Sequence, residues 1–364
     1  MNQSKRFKKH IRESSPYIGG TTRSREEGKE KIFKLSSNEN LLGPSPLAVR
    51  AIEKAIPQIF EYNYQDDLLL RNAISSSSDS RIDPDQVVTA NSGMELIDMI
   101  CRAFVEPGDE CILSSPTFLA YKNFANLSGA RMKDVPLKER DFMLDVEGIL
   151  NAVSEKTRII FISSPNNPTG SIVTKSEMEK LMRGLNNRCV VIYDEVYHHY
   201  VSDRAYARAL DFINEGYPLI GLHSFSKAYG LAGIRLGYCF SIPEIADYLS
   251  KLRRPFMINT LSMEAGIIAL SDHEHIERTV ELVEREKSWL YKELRSFGIK
   301  FWPGHANFIL MESPYRCADF EADMLQGGVM IRTAEVFGAP GKIRLTVGTR
   351  QANAAFINLL KILI

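Results

Sequence analysis

The 364-residue chain contains little that would tie it to a membrane, a metal or a secreted scaffold. No apolar run approaches the roughly 20 residues that a membrane-spanning helix needs. The basic start, Lys5, Arg6, Lys8, Lys9 and His10, leads into polar sequence, so it reads as a solvated tail and not as a secretion signal. The five cysteines, Cys101, Cys111, Cys189, Cys239 and Cys317, are scattered without a Cys-x-x-Cys pair. That argues against a disulfide framework and for reduced core thiols in a cytoplasmic protein. Charge of either sign is not in excess, with 45 basic and 45 acidic residues, so nothing favours nucleic acid or a membrane surface as a partner. No Gly-x-Gly-x-x-Gly follows the first strand, which argues against a nicotinamide-binding fold. The pairs His198-His199 and His273/His275 lack a cysteine or a closed ligand set, and no metal is expected. There is no internal repeat, and low complexity is confined to Ser75–Ser78.

What the chain does have is material for a large core: 44% of its residues are hydrophobic, enough for more than one domain. Short apolar runs alternate with stretches of helical spacing. Strand candidates are 32–36, 86–90, 111–113, 158–162, 189–193, 219–222 and 236–240. Helices are expected over 46–55, behind Asn91-Ser92-Gly93, and behind the capping box Thr174-x-x-Glu177. Polar residues gather where the strands end. This is the pattern of an open, largely parallel α/β sheet with its site along one edge. A long helix over 274–296 leads to a final α/β unit, in which 306–310, 329–332 and 342–347 read as strands. The expected divisions are an N-terminal arm over 1–45, a large domain over 46–254, and a linking helix with a small domain over 255–364.

The most informative stretch runs from Ser224 to Tyr238. It sets Lys227 beside two hydroxyls and a run of small residues, with Arg235 eight positions later. Small residues let a bulky ligand approach the backbone. Ser224, Ser226 and Arg235 would cradle a phosphate, because guanidinium matches phosphate oxygens two at a time. The strand–turn–helix at 87–105 would add the amides of Ser92, Gly93 and Met94 at a helix N-terminus. A lysine amine next to a bound phosphate points to a Schiff base with pyridoxal 5'-phosphate. That cofactor also needs an acid for its ring nitrogen, for which Asp194 is the candidate. Asn167 and Tyr197 can donate to its phenolic oxygen, and Phe118 can stack on its face. Singly, each of these residues has an ordinary structural explanation, but together they make one site.

These residues carry a family resemblance. Ser-x-Ser-Lys-x-x-Gly-Leu-Ala-Gly-Ile-Arg-Leu-Gly-Tyr at 224–238, Pro-Asn-Asn-Pro-Thr-Gly at 165–170 and Asp-Glu-x-Tyr at 194–197 resemble the fold-type I, class I/II aminotransferases. Pro16-Tyr17, Lys34 to Asn40, Gly43 to Pro46 and Ile343 to Arg350 are similar to the histidinol-phosphate aminotransferase group. The resemblance implies a large domain with a mostly parallel seven-stranded sheet between helices, plus a small α/β domain. It implies Lys227 as the Schiff-base lysine, Asp194, Tyr197, Asn167 and Phe118 around the ring, and Ser92, Gly93, Met94, Ser224, Ser226 and Arg235 around the phosphate. Tyr64 would reach the cofactor phosphate of the other subunit of a homodimer. Arg344 would receive the amino-acid carboxylate. Tyr17, Asn38, Asn167, Asn307 and Arg332 would lie near the rest of the substrate, with Arg332 the candidate for its phosphate. The implied reaction moves an amino group between histidinol phosphate, or a related donor, and 2-oxoglutarate in ping-pong fashion. An aromatic amino-acid aminotransferase and a threonine-phosphate decarboxylase-like enzyme share the same cofactor residues. The chain departs from the family at Ser92-Gly93-Met94, at Leu41 and at Asn63-Tyr64-Gln65.

Overall fold

Runs such as Val190-Val191-Ile192-Tyr193 have no polar alternation, which suits a strand covered on both faces. The computed structural model describes residues 6–17, 32–63, 67–77 and 82–364, and it places these runs at the centre of the molecule. Strand β1 (Phe33–Lys34) comes first, followed by seven strands of one sheet. These are β2 (Val87–Ala90), β3 (Glu110–Leu113), β4 (Arg131–Asp134), β5 (Thr157–Ser163), β6 (Val190–Asp194), β7 (Leu219–Ser224) and β8 (Gly237–Phe240). Their order across the sheet is β2-β8-β7-β6-β5-β3-β4. Every residue of β5 to β8 except Arg158 is buried. Each such Val or Ile contributes about 1.5–3 kcal/mol by leaving water.

One strand breaks the parallel pattern. β8 runs antiparallel to both neighbours, while the pairs β3/β4, β3/β5, β5/β6 and β6/β7 are parallel. Its first residue, Gly237, therefore lies opposite Ala90 and Ser224, the last residues of β2 and β7. The beginning of β8 and the ends of the other strands thus share one edge. That edge also receives the start of the helix Gly93–Phe104.

A second hydrophobic cluster is built around β9 (Phe301–Trp302), β10 (Phe308–Glu312), β11 (Val329–Met330), β12 (Arg332–Thr333) and β13 (Lys342–Thr346). β12-β13-β10-β9 form an antiparallel sheet, and β1 pairs in parallel with β11. The stretch expected as one strand over 329–332 is therefore two, because Met330 completes the pairing with β1 before Arg332 turns to β13. The helix His273–Ser296, about 36 Å long at 1.5 Å per residue, is capped by Asp272. The Thr174–Glu177 capping box forms as expected, ahead of the helix Lys175–Leu185. The polar strand β4 and the helices Leu68–Ser76, Leu119–Leu127 and Thr260–Ser271 were not legible. β4 is a partly exposed edge with no apolar run, and the Thr260–Ser271 helix has no one-sided apolar face.

Gly237 is where the shared edge is tightest. A Cβ there would stand 2.8 Å from Gly93 N and 2.9 Å from the Ser92 carbonyl carbon, both backbone atoms that cannot rotate away. Gly237→Ala is expected to lower the thermal midpoint of the protein by several degrees, an overpacking cost of about 1–3 kcal/mol. An unchanged midpoint would show that the 92–93 turn moves freely.

Candidate active site

The strand ends surround a cavity of about 380 Å³, within the usual range for small-molecule sites. Its lining includes Ser92, Gly93, Met94, Phe118, Asn167, Asp194, Tyr197, Ser224, Ser226, Lys227 and Arg235. All of these are residues that the sequence suggested for the cofactor. Tyr17, Arg332 and Arg344 from the substrate group line the same cavity. Tyr64 lies outside the described residues.

Anion-binding features collect on one side. The helix Gly93–Phe104 opens with no side-chain cap, so the amides of its first turn face the cavity edge without that partner. Ser92, just before it, has φ 108° and ψ 161°, a backbone region natural only to glycine. Across from it, the reversed β8 brings in Arg235, itself left-handed at φ 54° and held by its bond to the Ala232 carbonyl at 2.8 Å. The Ser224 hydroxyl accepts from the Ser226 amide at 3.1 Å, which fixes the turn just before Lys227.

Asp194 ends β6 and is 4% exposed. One carboxylate oxygen accepts from the Tyr121 hydroxyl at 2.6 Å and the other from the Val196 amide at 3.1 Å. Burial pushes its pKa up to about 6, against these two hydrogen bonds. Tyr121 escaped the sequence reading. Its spacing from Phe118 is that of a core aromatic, and only the folded helix shows its hydroxyl reaching Asp194. Phe118 stands edge-on to Tyr121 at 5.6 Å and to Tyr17 at 6.3 Å.

Lys227 donates to the Ser37 carbonyl at 3.1 Å and lies 5.6 Å from the Tyr197 ring centre. Burial, then the charge of Arg344, lowers its pKa to about 8. The Tyr197 hydroxyl accepts from the Asn38 amide at 3.0 Å, which leaves its own proton to donate.

Arg344, on β13, is 5% exposed and has no carboxylate partner among the described residues. It donates to Asn167 Oδ1 at 2.7 Å and to the Ser36 carbonyl, and its Nε is buried without a partner. Burial lowers its pKa to about 10. Arg332, on β12, pairs directly with Arg344 across the strands. Two like charges opposite one another destabilise a sheet unless an anion lies between them. No ion pair joins Arg332 to Glu335, whose carboxylate accepts from the Gly341 amide.

Asn38 and Asn307 are not among the residues that line the cavity. Asn38 is fully buried, with φ 56°, and bonds Tyr197 and Thr346, while Asn307 donates to the Asn38 carbonyl at 3.1 Å. Through these bonds they brace the wall behind Tyr197. His198, His199 and His223 stack behind the sheet edge, with ring centres 3.9 and 4.1 Å apart, and His223 contacts the buried Glu195 at 3.2 Å. Among the described residues no cluster of His, Cys, Asp and Glu is arranged to hold a metal ion, and no helix is long and apolar enough to cross a membrane.

Residues 30–360 match the family described as aminotransferase class I and II. This chain belongs to that family. Membership makes it a pyridoxal-phosphate-dependent aminotransferase acting on small molecules. The chain is 35% identical over 350 residues to the histidinol-phosphate aminotransferase of Moorella thermoacetica, covering 95% of this chain and 90% of that one. It is 37% identical to the protein of the same name from Akkermansia muciniphila, covering 91% and 89%. Among solved structures it resembles histidinol-phosphate aminotransferase from Sinorhizobium meliloti in complex with pyridoxal-5'-phosphate, with a TM-score of 0.87, 23% identity, and coverage of 99% and 98%. It also resembles Thermus thermophilus aspartate aminotransferase, at 0.79 and 22%, covering 90% and 92%. At those identities the solved structures speak for the fold.

The residues of this aminotransferase fit its cofactor. Asp194 is a buried acid whose proton affinity is raised by burial, and a protonated ring nitrogen would offer it a charged partner. The uncapped helix start and Arg235 offer a phosphate seat, and Lys227 is a lysine partly neutral near pH 7. The lowered pKa gives a pH dependence with a definite sign. Only the neutral amine attacks an aldehyde, so covalent capture of pyridoxal by the apo-protein should accelerate with rising pH and level off above about 8. Rates followed by absorbance between pH 6.5 and 9.5 test this. A rate still climbing at the upper limit would mean that Lys227 keeps an ordinary lysine pKa.

Proposed function

We propose that this enzyme moves the amino group of histidinol phosphate to a 2-oxo acid such as 2-oxoglutarate, in a ping-pong sequence. The observation that carries the reading is the cross-strand pair Arg332 and Arg344, facing the same cavity as Lys227. A donor with one carboxylate needs one guanidinium, whereas a phosphate or a dicarboxylate rewards two. Relatives named for histidinol phosphate, matching over nine-tenths of the chain, support the same choice.

When bound, pyridoxal 5'-phosphate supplies an aldehyde for amines and a ring that draws electrons from the adjoining carbon. The chain's own residues do the rest. Ser224, Ser226, Arg235 and the amides of Gly93 and Met94 hold the phosphate. Phe118 covers the ring face. Asp194 holds a proton at the ring nitrogen, and Tyr121 keeps that carboxylate oriented. Asn167 gives its carbonyl to Arg344 and keeps its NH₂ group for the phenolic oxygen, toward which Tyr197 also donates. Lys227 would be the base that takes the proton from the donor's Cα and the acid that gives it back. Arg344 takes the α-carboxylate of the 2-oxo acid, and Arg332 its second carboxylate or the phosphate of the donor. The same reading gives Tyr64 to the cofactor phosphate of a neighbouring subunit. A homodimer is supported by the family and by Ile59, Phe60 and Tyr62, which expose 62–81% of their surface beside that position.

Asp194→Ala should lower kcat by on the order of a hundredfold or more while the phosphate seat retains the cofactor. Turnover within a few-fold of wild type would remove Asp194 from the mechanism. Arg332→Ala should raise KM for histidinol phosphate by the equivalent of about 1.5–3 kcal/mol, and leave an unphosphorylated aromatic donor nearly unaffected. Equal losses on both donors would point to a general aromatic aminotransferase.

A further inference from the structure

Among the described residues the cavity is lined by four cationic side chains, Lys227, Arg235, Arg332 and Arg344, and two carboxylates, Asp194 and Glu39. Both oxygens of Asp194 are occupied by Tyr121 and Val196. Glu39 is differently placed. Its Oε1 accepts from Lys34 Nζ at 2.7 Å, and among the described residues Oε2 makes no hydrogen bond or ion pair. The backbone presents it firmly. Asn38, on one side, is fastened to Tyr197 and Thr346, and Asn40, on the other, donates to the Ala228 carbonyl at 2.9 Å and Thr279 Oγ1 at 3.0 Å. Two residues earlier, the Ser37 carbonyl holds Lys227. An acid is thus held on the wall of a cavity whose other functional groups attract anions.

Resting on the reading above, we infer that Glu39 accepts the N–H of the donor's imidazole ring and so selects a nitrogen heterocycle as the third arm of the substrate. The carbon bearing the amine must sit at Lys227. The phosphate arm is drawn to Arg332 and Arg344. The remaining arm of histidinol phosphate is an imidazole, a ring with an N–H to give and, when protonated, a positive charge. A free carboxylate oxygen complements both forms. The 2-oxo acid needs no such partner. Its two carboxylates are satisfied by the arginine pair, and a third anion near Glu39 would be repelled.

The two half-reactions therefore separate this role from a structural one. The holoenzyme with Glu39→Gln should show KM for histidinol phosphate raised about tenfold in the single-turnover amino-donor half, the loss of one charged hydrogen bond. The half-reaction with 2-oxoglutarate should stay within about twofold of wild type. Lys34→Met, which removes the other partner of Glu39, should leave both halves within about twofold. If Glu39→Gln slows both halves alike, or if Lys34→Met reproduces its effect, the Lys34–Glu39 pair merely braces the loop and the inference is overturned. An unchanged KM for histidinol phosphate overturns it as well. A wild-type enzyme that does not accept histidinol phosphate is a different failure, since it removes the substrate reading and this inference with it.

Discussion

A single buried guanidinium joins the two halves of this molecule. Arg344 comes from β13 in the second hydrophobic cluster and donates to Asn167 beyond β5 of the large sheet and to Ser36 in the N-terminal segment. Both acceptors are neutral oxygens, so the charge is hydrogen-bonded but not compensated. Such a burial costs several kcal/mol, which a bound anion would offset. The arrangement makes the site and the packing between the clusters interdependent: the same side chain lines the cavity and keeps its Nε buried without a partner.

The rest of the electrostatics follows from this imbalance. Arg332 is set opposite Arg344 by strand register, and Arg235 is brought in by the reversal of β8. Lys227 loses proton affinity by burial and then by the charge of Arg344, and Asp194 gains it by burial. A neutral amine and a carboxylate ready for a cation are the two conditions under which an aldehyde-bearing, pyridine-containing cofactor can be held and used. The strain at Ser92 belongs to the same design, since a residue in a glycine-like conformation turns the helix amides to the edge where phosphate would sit.

Glu39, Asn38 and Asn40 show how one short segment divides its labour. The two asparagines are spent on the scaffold, where they bind Tyr197, Thr346, Ala228 and Thr279. The glutamate between them keeps a free oxygen at the cavity. Substrate choice in such a site depends on where the surplus hydrogen-bonding groups are left, and here one acid, Glu39, stands among cationic lining residues.

The sequence by itself determined the large sheet, because runs such as Val190–Tyr193 can only be satisfied under cover on both faces, and it marked residues that come to line one cavity, because lysine, serines, arginine and aspartate stood at strand ends. Only the tertiary structure decided which polar residues reach the cavity. Tyr121 lies at core spacing yet touches Asp194, whereas Asn38 lies in a motif yet is fully buried and bonded to Tyr197 and Thr346. The reversal of β8, the division of 329–333 between two sheets and the opposition of Arg332 to Arg344 are matters of strand register. Register depends on which distant segments pair as well as on the local pattern of residues, and the choice of partner is made only in the folded chain.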